Sequence, residues 1–120
     1  MDPLSVVLYQ NDLRTAQNLV VNLSQHFDTV QLVHKCAEIS AAVARHRADA
    51  VVIDLEVSGT GEVEHLHREF PDLCIVGTHR LADDKLWAEA MSLVASDICE
   101  PRSDQVMGSL LRRRARHAAA

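Results

Sequence analysis

Ala50-Val51-Val52-Ile53-Asp54 decides the reading of this chain. Four apolar, mostly β-branched residues run without alternation and stop at a carboxylate. A strand buried on both faces reads this way, and such strands belong to parallel sheets covered by helices. Working outward, Ser5-Val6-Val7-Leu8-Tyr9, Thr29 to Val33, Leu73-Cys74-Ile75-Val76-Gly77 and Asp97-Ile98-Cys99 carry the same signature more briefly. Between them lie stretches with helical spacing. Asp12 to His26 places Leu13, Ala16, Val20 and Leu23 on one face, and Glu38 to Arg47 does the same with Ile39, Ala42 and Val43. Glu62 to Phe70 (Val63, Leu66, Phe70), Asp83 to Ala95 (Leu86, Ala90, Leu93, Val94) and a last helix capped by Ser103 (Val106, Leu110) complete the pattern. Leu55 to Gly61 reads as a loop by its glycines. The result is a βα repeat over five strands and five helices.

At 120 residues there is room for one domain, residues 1–120, with 112–120 as a basic tail or the start of a linker. Forty-eight per cent hydrophobic and 24% charged residues are ordinary globular values. No apolar run approaches membrane length, and the N-terminus lacks the basic and apolar regions of a secretory leader. Three cysteines without paired spacing fit a reducing cytoplasm, where the chain is expected to reside. A net charge of −5 argues against direct nucleic-acid binding. With 3% aromatic residues, four glycines and no G-x-G-x-x-G, neither base stacking nor a dinucleotide cradle is supported.

The sequence therefore predicts an α/β fold: a five-stranded parallel sheet in the flavodoxin-like order 2-1-3-4-5, with helices on both faces. Such sheets bind ligands outside the carboxyl ends of their strands. The residues expected there are Gln10, Asn11 and Asp12 after strand one, Asp54 to Glu56 after strand three, Thr78 after strand four and Glu100 after strand five.

This order, with Ala50 to Leu55, Cys74 to His79 and Asp97 to Pro101 at their positions, resembles the receiver (CheY-like) domain of bacterial response regulators. The resemblance covers essentially the whole chain. It implies that Asp54 stands at the phosphoacceptor position, with Thr78 as the hydroxyl that contacts the phosphoryl oxygens. The departures from the family pattern are equally specific. Gln10-Asn11 replaces the two acids that hold Mg²⁺, so no cofactor is expected, Asp12 and Asp54 being a weak Mg²⁺ alternative. Glu100 replaces the strand-five lysine, and Asp97 the aromatic switch residue. An aspartyl phosphate carries about two negative charges. A unit charge about 5 Å away at a dielectric near 20 contributes about 3 kcal/mol, so exchanging Lys for Glu moves the balance several kcal/mol against it.

Two functional expectations follow. The first is an atypical receiver-like signalling domain that acts by protein–protein contact, independent of phosphorylation. The alternative is a conventional receiver phosphorylated on Asp54 by a histidine kinase. Neither is an enzyme in the usual sense, since no nucleophile–base pair is visible. The resemblance implies a protein partner or output domain, or a homodimer, using the fourth helix, fifth strand and fifth helix, with Lys85, Trp87 and Met91 as the expected contact residues. His65 and His67, two apart on a helix, cannot share an ion.

Overall fold

The structure is a computed structural model that describes residues 4–59, 61–80, 85, 88 and 97–119. Strands β1 (Ser5–Tyr9), β2 (Thr29–Val33), β3 (Ala50–Asp54), β4 (Cys74–Thr78) and β5 (Asp97–Cys99) form one parallel sheet in the order β2-β1-β3-β4-β5, as expected. The described helices are α1 (Leu13–Leu23), α2 (Ile39–His46, entered through a 3-10 turn at Cys36–Glu38), α3 (Leu55–Ser58), α4 (Gly61–Glu69) and α5 (Ser103–Ala119). Lys85 and Ala88 are helical and exposed. Trp87, Met91 and the core face expected for Asp83 to Ala95 lie outside the described residues.

Alternation along the strands divides the core into two layers. Val7, Val51, Ile53 and Ile75 face α2 and α4 through Ile39, Val43, Val63 and Leu66. Val6, Leu8, Val52 and Val76 face α1 and α5 through Leu19, Leu23, Val106 and Leu110. Every strand of the central trio is therefore apolar on both sides, which is why its sequence shows no alternation.

Four details differ from the sequence expectation. The buried face of α1 is Ala16, Leu19 and Leu23, while Leu13 is 60% exposed, because Asp12 caps the helix and turns its first residue outward. The segment after Asp54, expected as loop, forms the single turn α3, with Asp54 accepting from the Glu56 N–H. Ser103 lies inside the first turn of α5 instead of capping it. The Val106 N–H donates to the Arg102 carbonyl, and the Ser103 hydroxyl accepts from Asn22 on α1. The helix also continues through the basic residues to Ala119.

Helix α2 ends at Arg47, whose φ of 49° and ψ of 51° are left-handed. A side chain there crowds the following carbonyl. Arg47→Gly is therefore expected to raise stability by up to about 1 kcal/mol in chemical denaturation, less the greater freedom glycine gives the unfolded chain.

Candidate functional site at the carboxyl edge of the sheet

The parallel register pairs Tyr9 with Ile53 and Asp54 with Thr78. Residues following β1 thus stand on one side of Asp54 and Thr78 on the other. Asp54 is 6% exposed, and its extended backbone (φ −77°, ψ 100°) makes it the N-cap of α3. Its Oδ1 accepts from the Glu56 N–H at 3.0 Å and its Oδ2 from the Asn11 N–H at 3.1 Å. Both carboxylate oxygens are thereby held by backbone amides.

Gln10 is the residue that crosses the pocket. Its Nε2 donates to the Thr78 Oγ1 at 2.7 Å, and both side chains are buried. Since β3 lies between β1 and β4, this bond passes over the end of β3 at the level of Asp54. The Thr78 hydroxyl in turn donates to the Ile53 carbonyl at 3.4 Å. Donor and acceptor are matched within the chain, and Thr78 is fixed by its neighbours on both sides.

The other edge residues are differently occupied. Asp12 is exposed and turned onto α1, where its Oδ2 accepts from the Thr15 hydroxyl at 2.6 Å and the Thr15 N–H at 3.0 Å. These bonds, the hydroxyl first, hold its carboxyl below the ordinary value against slight desolvation, and the charges of Arg14 and Arg80 assist. Glu56 pairs with Arg80, whose Nε lies 3.0 and 3.2 Å from the two carboxylate oxygens. Partial burial pushes the Glu56 carboxyl up, but Arg80, through side chain, backbone N–H and charge, outweighs it and leaves the group below its usual range. Burial raises the Tyr9 phenol, followed by the neighbouring Cys36 and Asp54 charges. Glu100 is half-buried just past β5, where its backbone N–H donates to the Gln105 Oε1. Lys85 is helical and exposed.

The structure thus gathers Gln10, Asn11, Asp54, Glu56 and Thr78 as the sequence suggested, and turns Asp12 onto its helix. The sequence reading missed Arg80 as a participant and the bonding role of Asp97. Arg80 was missed, although a cation two residues past the end of β4 is a signal that could have found it. Asp97 proves to be a tether: its Oδ2 accepts from the buried Ser109 hydroxyl of α5 at 2.7 Å and its Oδ1 from the Ile98 N–H at 2.8 Å.

A divalent cation of the Mg²⁺ type needs several oxygen ligands converging at short range, carboxylates foremost. Here Asp54 is bound through both oxygens to amides, Asp12 faces Thr15, Glu56 faces Arg80, and Gln10 directs its donor nitrogen into the pocket. Among the described residues no group of three or more His, Cys, Asp or Glu converges as a metal site. The donor set does not fit the metal that the receiver fold implies.

No protein-family model and no curated protein matches this sequence. Solved structures do match. A two-component response regulator from Clostridium difficile superposes with a TM-score of 0.81 at 13% identity, covering 98% of this chain and 99% of that one. The chemotaxis protein CheY4 from Vibrio cholerae gives 0.82 at 13% identity, over 92% and 98% of the two chains. The CheX–CheY–BeF3–Mg²⁺ complex from Borrelia burgdorferi gives 0.79 at 14% identity, over 92% and 88%. The chain has the CheY-like receiver fold. Among the described residues, no helix is long and apolar enough to cross a membrane.

Proposed function

We propose that this chain is an atypical receiver-like signalling domain that works in the cytoplasm by protein–protein contact and does so without phosphorylation of Asp54. The observation that carries this reading is the Gln10–Thr78 bond laid over an Asp54 whose two oxygens already serve backbone amides. An incoming phosphoryl group would have to displace the buried amide, break the Asp54 cradle and gather charge beside Glu56. The nearby cation, Arg80, is already paired with Glu56. The receiver fold supports a role in signalling, and a protein partner agrees with the CheX–CheY assembly of a structural relative. An output domain or a second copy of the chain is the other form such a partner would take. The exposed Lys85 lies in the segment proposed to meet it.

A conventional phosphoacceptor is the second reading, favoured by one observation: Asp54 and Thr78 are register partners on adjacent strands. Intact-mass spectrometry after incubation with acetyl phosphate and Mg²⁺ separates the two, with Asp54→Asn run alongside. The expected result is no phosphoryl adduct under conditions that modify an ordinary receiver. An adduct on the wild type that is absent from Asp54→Asn would overturn the proposal in favour of the second reading.

A further inference from the structure

We propose that the outer edge of β2 is the surface on which a second copy of this chain pairs, antiparallel and centred on Gln31, joining the two sheets into one. The proposal rests on the protein–protein contact in the reading above and not on the state of Asp54. Its first support is the direction of the backbone. β2 is outermost in the sheet and borders only β1. The Thr29 N–H donates to the Leu4 carbonyl at 3.2 Å, in a register that sets Ser5 beside Thr29. Along a parallel ladder, alternate residues turn both N–H and C=O toward the same neighbour. Thr29, Gln31 and Val33 therefore bond toward β1, while Val30 and Leu32 direct their backbone groups outward. The Gln31 Nε2 donates to the Leu32 carbonyl at 3.3 Å, so a side chain serves a carbonyl that the ladder leaves over.

The second support is that this edge lacks the devices that keep strands apart. Thr29 to Val33 contains no charge and no proline, and it pairs residue for residue with β1 without a bulge. β5, at the other edge, has only three residues and begins with Asp97. The third support is charge. A closed two-fold contact of one strand edge with itself runs antiparallel. Outward groups must meet outward groups, so the registers with full overlap pair Val30 with itself, Leu32 with itself, or Val30 with Leu32. Only the last sets the acid before the strand, Asp28, against His34 after it, with Lys35 next in line. All three residues are exposed. The Asp28 Oδ2 accepts from the Leu4 N–H at 3.0 Å, which fixes the carboxylate at the start of the strand. In this register Val30 and Leu32, both half-buried against the α1 layer, meet their counterparts on one face. On the other face the two Gln31 side chains stand opposite each other.

Sedimentation equilibrium on the whole chain tests this, over about 1 µM to 1 mM protein, the range of a small contact. The wild type is compared with Gln31→Lys, with Gln31→Glu and with an equimolar mixture of the two variants. Gln31 is half-buried at the sheet edge, and circular dichroism checks that each variant keeps the fold. The wild type is expected to approach twice the chain mass as concentration rises. Either variant places like charges about 5 Å apart at the two-fold axis and should self-associate at least about tenfold more weakly. The mixture sets a lysine against a glutamate and should recover the dimer. A monomeric wild type would overturn the proposal. So would a dimer that neither variant weakens, which puts the contact on another surface, or a mixture that stays monomeric. None of these outcomes bears on Asp54, so the phosphorylation test stands or fails separately.

Discussion

Leu55→Ala is expected to lower the unfolding free energy by about 2–5 kcal/mol, with a counterpart on the neighbouring strand. Leu55 is the first residue of α3 and only 5% exposed, packed with Val63, Leu66 and Ile75 on the α2/α4 side of the sheet. It lies directly over Gly77. A Cβ built on Gly77 would come 2.6 Å from the Leu55 Cδ1 and 2.9 Å from its Cγ. The terminal methyl can rotate aside, but moving the branch carbon needs a change of χ1 or of the turn itself, and the packing around the buried Leu55 opposes both. Gly77→Ala is therefore expected to cost about 1–3 kcal/mol by overpacking. In the double variant the alanine methyl enters space that Leu55 has vacated, so the combined loss should fall short of the sum by about 1 kcal/mol or more. Urea denaturation of the four proteins completes the cycle. Strictly additive losses, or a neutral Gly77→Ala, would show that the contact does not set the position of α3. The consequence reaches the site, because the same turn delivers the Glu56 N–H to Asp54.

The strands were legible because burial on both faces leaves little choice of composition. Ala50 to Ile53 has no polar residue to mark a surface, and the structure places this strand at the centre of the five. Helix α2 was equally readable, since Ile39, Ala42 and Val43 sit on one face and all three are buried. Legibility failed where one side-chain bond overrides a pattern. Leu13 looked like a core position by spacing, yet the Asp12 cap places it at the outward start of α1. Leu55 to Ser58 looked like loop because of the nearby glycine, and it is Asp54 acting as a cap that winds it into a turn. At the site, the residue types were readable but their pairing was not. Gln10 could be seen as a lost acid. That its amide would reach across β3 to Thr78 depends on strand order and register together, which no local window contains.

Charge and hydrogen bonding at this edge point in one direction. Four polar side chains at this edge have partners inside the chain: Asp54 in two amides, Thr78 in Gln10, Glu56 in Arg80, Asp12 in Thr15. Asp97, where the family pattern has a mobile aromatic, is bonded to the buried Ser109 of α5. The buried member of this set, the Gln10–Thr78 bond, is satisfied within the chain, and a satisfied buried bond favours one conformation over its alternatives.

If Asp54 is a structural group, removing its carboxylate must destabilise the protein, and Asp54→Ala is expected to cost about 2–3 kcal/mol in urea denaturation. The figure follows from the loss of an N-cap, about 0.5–2 kcal/mol, together with a charge-assisted bond to a second backbone amide that is left partly desolvated. Relief of repulsion from Asp12 and Glu56 offsets part of it. Asp54→Asn is the sharper comparison. Asparagine has one carbonyl oxygen, whereas two N–H groups, those of Asn11 and Glu56, point at the side chain. Its amide nitrogen must then face a donor, so Asn should recover no more than about half of the loss despite its nearly identical shape. A carboxylate retained only to accept a phosphoryl group makes the opposite prediction. At an edge already crowded with Asp12 and Glu56, deleting one negative charge would be neutral or stabilising, and Asn would be the better tolerated of the two. The sign of the Asp54→Ala effect and the rank of Asn therefore separate a cap from an acceptor without any phosphorylation assay.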